Sequence, residues 1–328
     1  MFEFVVARHR RGVHGVVDRR ALSPRGYIVG GPLVVSTAVA DQLERTPAYD
    51  CGGTTLAKNA IGAQIDLTVT RVYGSSAYGT AEAVAKAVSS APSFTLAGAY
   101  STTNATGGTR RFNDSAGHGS SAPSGALSTA ILATGTGWMD AESASALSYQ
   151  AGVPILLTTP TSLPPTTVAA LEALGVKQVI VMGGPLAVSD AVVHELETTL
   201  GFSVLRIAGK DYTGTSTELA TFELSPAGTG IRWKPASTSL LVARGNGFTD
   251  GLGGAALEQV GVTGQTPLVL TESPTVLGPS LTAFLKAAGA TGAGIGTSHV
   301  KVTALTVLGG PLAVSTALVA QMRTDLED

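Results

Sequence analysis

Two carboxylates, Asp140 and Asp250, are the best-placed candidates for chemistry in this sequence. They stand in matching settings, Trp138-Met139-Asp140-Ala141 and Phe248-Thr249-Asp250-Gly251, each after an aliphatic run and at the opening of a helix-like segment. Open α/β sheets bind ligands at the carboxyl ends of their strands, and a carboxylate there can accept hydrogen bonds from sugar hydroxyls. The same place suits a helix N-cap, so both readings stand. Trp138 and Phe248 offer flat faces for a sugar ring or for core packing. Arg71 and Arg206 open two further matching blocks, either as ligand contacts or as structural partners of the aspartates.

Other chemistries lack their residues. The histidines at 9, 14, 118, 194 and 299 show no metal-ligand spacing, so no metal is expected. Cys51 sits in Asp50-Cys51-Gly52-Gly53 with no base nearby, and one cysteine makes neither a disulfide nor a thiol cluster. The sequence has no phosphate-cradling Walker loop and no Gly-x-Ser-x-Gly elbow. The nearest approach to a dinucleotide fingerprint is Gly245-Asn246-Gly247-Phe248-Thr249-Asp250, with aspartate where the third glycine belongs. No catalytic residue and no cofactor are expected.

The elements that must position the carboxylates are announced by an internal repeat. Gly30-Gly31-Pro32-Leu33-Val34-Val35-Ser36 recurs as Gly183-Gly184-Pro185-Leu186-Ala187-Val188-Ser189 and as Gly309-Gly310-Pro311-Leu312-Ala313-Val314-Ser315. Before each copy runs a short aliphatic segment, a strand candidate. The two glycines permit a tight turn, and Ser36, Ser189 and Ser315 stand where a helix N-cap belongs. Helical apolar spacing follows over residues 37–45, 190–199 and 316–326. A second block, Pro154-Ile155-Leu156-Leu157-Thr158, recurs as Pro267-Leu268-Val269-Leu270-Thr271.

Strands alternating with helices of this length predict repeated flavodoxin-like or Rossmann-like α/β units, with parallel sheets and crossover helices. The divisions expected are 1–64, holding only the closing strand and helix of a repeat, then units over 65–200 and 202–328. Gly30 and Gly183 stand farther apart than Gly183 and Gly309, which points to an insertion near 101–124, rich in Gly, Ser, Thr and Asn and read as a flexible loop.

Composition narrows the partners. Of the 328 residues 44% are hydrophobic, 5% aromatic and only 13% charged, about half the roughly 25% charged of ordinary chains. A net charge of −2 lacks the electrostatic footprint of a nucleic-acid binder. The one dense basic run, Arg8 to Arg20, reads as a solvated terminus. No segment is long and apolar enough to span a membrane, and no signal peptide is visible. The neutral, hydroxyl-rich surface suits sugars or close protein neighbours.

In their order these blocks resemble the bacterial cell wall-binding repeat type 2 family, whose repeats open with R-I-x-G-x-D-R-Y, continue through F-x-D-A-L and P-I-L-L-T, and close with G-G-x-x-A-V-S. The resemblance covers most of 65–328 and also 27–46. It departs at D-R-Y, which here is Ser76-Ala77-Tyr78 and Asp211-Tyr212-Thr213. The resemblance implies a non-catalytic extracellular protein of the bacterial surface that binds secondary cell-wall polysaccharide. The alternative is a self-assembling component, in a surface layer, filament or phage virion, using the same modules for homo-oligomer contacts.

Overall fold

The computed structural model describes residues 25–46, 68–89, 95–96, 100–103, 109–112, 127–225, 239–254, 266–289, 292–295 and 300–328. The basic run at 8–20, Cys51 and the histidines at 9, 14, 118 and 299 lie outside them. The chain divides into two compact units, residues 1–87 and 88–328.

In the first unit, strand β1 (Arg25–Val29) ends at the first Gly-Gly-Pro turn, and helix α1 (Thr37–Glu44) starts on Ser36. Strand β2 (Thr68–Val72) then lies parallel to β1, in register from Arg25↔Thr68 to Val29↔Val72, and feeds helix α2 (Ala77–Ser89).

The second unit begins with the short β3 (Thr95–Leu96) and a hairpin of β4 (Tyr100–Thr103) with β5 (Thr109–Phe112). That hairpin occupies part of the stretch marked as an insertion; residues 104–108 and 113–126 lie outside the described ones. β6 (Leu127–Thr134) follows and leads into two short helices, α3 (Met139–Ser143) and α4 (Ser145–Ala151). Next come β7 (Ile155–Thr158), α5 (Pro165–Ala173) and β8 (Gln178–Met182). α6 (Asp190–His194) runs on into a π-helical turn. β6 pairs in parallel with β7 and β8 and antiparallel with β3, and β8 pairs in parallel with β9 (Ser203–Ile207).

The second repeat follows the same plan. Helix α7 (Tyr212–Leu224) leads to β10 (Ser239–Arg244), α8 (Thr249–Gly254), β11 (Leu268–Thr271), α9 (Pro279–Ala288), β12 (Ala304–Val307) and α10 (Thr316–Glu327). Its sheet is parallel, in the order β11-β10-β12. The expected mixed α/β architecture, with parallel strands and crossover helices, is what the chain adopts.

Hydrogen bonding does not follow the sequence repeat strictly. β9 carries the opening block of the second repeat, yet it completes the sheet of the first. β2 extends β1 in the same way. The closing strands β1 and β8 are therefore each fastened to the strand that opens the next block.

α7 ties the two sheets together. Leu219 and Phe222 pack with Ile131, Ile180 and Met182 of the first sheet, while Ala220 and Leu224 pack with Val242 and Val269 of the second and with Leu285 of α9. A helix committed on both sides must be small and hydroxyl-rich where it touches backbone. Ser216 Oγ accepts from Leu270 N–H of β11 at 3.0 Å, closing an edge that would otherwise lose a hydrogen bond. A third cluster sets Ala146 of α4 on Leu241, Ala243, Leu268 and Leu308 of the second sheet. The helices that carry Asp140 are thus wedged between both sheets.

Candidate functional site

The arginines are local fasteners. Arg206 Nη1 donates to the Gly183 carbonyl at 2.7 Å, and Nη2 donates to the Val188 carbonyl at 2.8 Å and to Asp190 Oδ1 at 3.3 Å. The guanidinium spans the second Gly-Gly-Pro turn from β9. Its burial lowers the pKa, and Asp190 opposes that. In the first unit Arg71 repeats the arrangement, donating to the Gly30 carbonyl at 2.7 Å and the Ser36 carbonyl at 3.3 Å. The ionic partner of Arg206 is Asp190, not Asp140.

The three turns share one build. Gly30, Gly183 and Gly309 have φ of 121°, 94° and 92°, a region that disfavours any residue with a β-carbon. Gly31, Gly184 and Gly310 follow at negative or extended φ. Ser36, Ser189 and Ser315 accept from the N–H groups of Val39, Val192 and Leu318 at 3.4, 3.4 and 3.2 Å. Prolines and glycines turn the backbone so sharply that the next leucine points into solvent: Leu33, Leu186 and Leu312 are 101%, 97% and 92% exposed. A lone exposed leucine is ordinary. The same leucine on the tip of every repeat is a candidate contact that composition did not reveal; comparing the three copies for apolar tips would have found it.

Asp140 and Asp250 each lie against one of these turns. Neither is an N-cap: α3 is preceded by Trp138 without a side-chain cap, and Asp250 is the second residue of α8. The position after a helix start leaves the carboxylate directed at the neighbouring loop. A β-carbon on Gly183 would overlap Asp140 Oδ2, and one on Gly309 would come within 2.9 Å of Asp250 Oδ2. Burial raises the pKa of Asp140. Asp250 pairs with Arg244 of β10, Oδ2 to Nε, at 3.5 Å.

A third carboxylate joins them. Glu142, two residues beyond Asp140 on α3, is 1% exposed, and neither carboxyl oxygen makes a well-formed hydrogen bond. Burial pushes its pKa up to about 8; the nearby Gly251 N–H and Arg244 oppose the rise and Asp250 adds to it. Sequence reasoning passed over Glu142. Its signal was a mismatch between copies, since Trp138-to-Glu142 aligns with Phe248-to-Leu252 and sets a carboxylate where the second repeat has leucine.

Trp138 and Phe248 meet directly, ring centroids 5.7 Å apart at 60°, and Trp138 stays 43% exposed. The structure therefore gathers Trp138, Phe248, Asp250, Arg244 and Glu142 where α3 meets α8. Arg71 and Arg206 serve separate turns. Such a place, with an open indole and the Arg244–Asp250 ion pair beside a buried Glu142 that burial holds in its neutral form, can stack on a ring and exchange hydrogen bonds with hydroxyls. Among the described residues, no group of three His, Cys, Asp or Glu could hold a metal ion.

The model of the family described as cell wall binding domain 2 (CWB2) matches residues 71–193 and 206–319, more than half of the chain. The chain belongs to that family. Among curated proteins it is similar to N-acetylmuramoyl-L-alanine amidase LytC of Bacillus subtilis (strain 168), 31% identical over 155 residues, which are 47% of this chain and 24% of that protein. Among solved structures it is similar to Cwp8 from Clostridium difficile, with a TM-score of 0.58 and 20% identity over 93% of this chain and 38% of that one. Cwp6 from Clostridium difficile gives a TM-score of 0.54 and 16% identity, covering 85% of this chain and 34% of that one. The chain thus spans about a quarter of the curated relative and just over a third of each solved structure. The two CWB2 matches contain the whole α3–α8 cluster and the second and third Gly-Gly-Pro turns. Among the described residues, no helix is long and apolar enough to cross a membrane.

Proposed function

We propose that this CWB2 chain holds cell-wall polysaccharide at the bacterial surface without altering it, and that the junction of α3 with α8 contributes to the grip. The observation that carries the reading is the half-exposed Trp138 indole set on Phe248, beside the partly exposed Arg244–Asp250 pair. An aromatic face covers the apolar side of a sugar ring while carboxyl and guanidinium groups meet its hydroxyls. A low charge density supports a neutral or weakly charged polymer, for which few desolvated ions are needed. For hydrolysis the carboxyls would need one stable acid beside one ionised base or nucleophile across a scissile bond. Glu142, the acid that burial keeps protonated, is only 1% exposed and so is out of reach of a scissile bond.

Co-sedimentation of the purified chain with Gram-positive cell walls tests this, before and after the secondary polymers are stripped. Retention that is lost on stripping, and weakened by Trp138→Ala, is the expected outcome. Failure to sediment with walls from several hosts would refute the anchor, and release of soluble sugar from the walls would refute its passivity.

A further inference from the structure

Helices α3 and α8 touch at two points one turn apart. At their starts Trp138 lies on Phe248, ring centroids 5.7 Å apart. One turn further on, Glu142 of α3 presses its carboxyl against Gly251 of α8, where a β-carbon would overlap Oε1. The two places are tied along α3, since Glu142 N–H donates to the Trp138 carbonyl at 2.8 Å. The helices have only five and six residues. Helices so short are not stable on their own hydrogen bonds, so the contact at Glu142 helps to set the aromatic pair.

The contact at Glu142 is chemically odd. The side chain is almost fully buried, and neither oxygen makes a well-formed hydrogen bond. A leucine would fill the place without desolvating a carboxyl, and the matched residue of the second repeat is Leu252. Gly251, which makes room for the acid, is matched by Ala141. The acid and the missing β-carbon opposite it thus each depart from the other repeat. An ionisable group kept where an apolar one would pack is a candidate for function. Asp250 of α8 and Arg244 of β10 are the charges that act on it. Arg244 is already paired with Asp250 at 3.5 Å, so a charge on Glu142 sets two carboxylates against one guanidinium. Of the other elements packed on α3, β6 and β11 carry no titratable side chain, α4 has Tyr149, and α7 has Tyr212, Glu218 and Glu223; Asp140 shares α3 itself.

We infer that Glu142 is the positioning residue of the Trp138–Phe248 platform: its uncharged carboxyl seats α3 on α8, and loss of the proton parts the two helices and weakens the hold on the wall. The effect on the wall rests on the function proposed above; the effect on the platform does not. With its proton, the carboxyl stays buried on Gly251 and the indole stays on the phenyl ring. Without it, desolvation and the Asp250 carboxylate act together, and the charge gains water only where α3 and α8 separate. Trp138 then leaves Phe248, and the flat face that a sugar ring would cover is lost. Burial sets the changeover at about pH 8, so the grip is firm in acidic and neutral surroundings and loosens in alkaline ones.

The test uses the whole chain carrying Trp233→Phe, which leaves Trp138 as its only tryptophan. Trp138 emission and its quenching by acrylamide are followed from about pH 6 to about pH 10, with circular dichroism at each point. A transition near pH 8 at constant circular dichroism is expected, and Glu142→Gln, neutral at every pH, should abolish it. Asp250→Asn removes the repelling charge and frees Arg244, so it should move the midpoint to lower pH; this variant decides if Glu142→Gln does not fold. Retention on cell walls should fall about three- to tenfold over the same range, the scale of one aromatic contact, and stay level in Glu142→Gln. Emission that does not titrate, that titrates equally in Glu142→Gln, that keeps its midpoint in Asp250→Asn, or that changes only as the chain unfolds would overturn the inference. Emission that titrates while wall retention does not would overturn its effect on the grip. Walls that fail to hold the chain even at about pH 6 refute the anchor instead, and emission still decides the platform.

Discussion

The carboxyl group of Glu142 on α3 rests so tightly on Gly251 of α8 that a β-carbon at 251 would overlap its Oε1. Burial at this junction, against the pull of the Gly251 N–H, keeps a proton on the carboxyl. Buried beside Asp250, Glu142 holds its proton up to about pH 8, against 4.5 for a free glutamate. Below the unfolded value both states carry the proton and stability is at its highest. As pH rises toward 8 the unfolded chain ionises first, and stability falls until the folded group ionises too. Denaturant titrations between pH 5 and 9 should therefore show a decline on the order of a few kcal/mol, levelling off above about 8. Asp140, also raised by burial, acts in the same direction. Glu142→Gln should flatten most of the slope; an unchanged slope would refute the assignment.

Arg206 should matter for stability more than its partial exposure suggests. It satisfies two carbonyls of the second turn and pairs with Asp190. Arg206→Ala strands both carbonyls in a half-buried place and should cost about 2–3 kcal/mol. Arg206→Lys should recover only part of this, since an ammonium cannot span two acceptors as a planar fork does. Urea midpoints measure both, and a loss confined to wall binding would show that the clamp is dispensable.

The sheets were legible because their signals are local and repeated: an aliphatic run, a Gly-Gly-Pro turn and a capping serine recur three times and leave little choice of topology. The pairing of β9 with β8 was not, because no local pattern says that an opening strand completes the preceding sheet. Of the site, Trp138, Phe248 and Asp250 were legible from their matched settings. Glu142 was hidden, because its burial follows from the packing of α3 on α8, and Arg244 was hidden at the end of an apolar strand. Arg71 and Arg206 were legible as the openings of matching blocks; their carbonyl partners were not, lying 41 and 23 residues away in the chain.

Leu186 and Leu312 separate stability from recognition. Each is almost fully exposed on its turn, so replacing either with serine should shift the unfolding free energy by less than about 0.5 kcal/mol. A leucine buried against a partner is worth roughly 2 kcal/mol. If the tips touch the wall, the double variant should lose most of its retention in co-sedimentation at unchanged thermal stability. Full retention would exclude the tips from the contact.

Gly183 and Gly184 are neighbours with opposite tolerances, and the pair tests the turn directly. Gly183 sits at φ 94°, where a β-carbon would collide with the Asp140 carboxylate and come within 2.8 Å of the Ala187 β-carbon. Strain and overlap together should make Gly183→Ala cost about 2–4 kcal/mol. At Gly184 a β-carbon meets nothing within 4 Å, so Gly184→Ala should be neutral or gain a few tenths of a kcal/mol from a less flexible unfolded chain. Combining Gly183→Ala with Asp140→Ala removes the carboxylate from the collision but leaves the positive φ. The double variant should therefore recover only part of the loss, and denaturant midpoints of the four proteins give the coupling. Zero coupling would mean that Asp140 does not press on the turn. Full recovery would mean that backbone conformation contributes nothing.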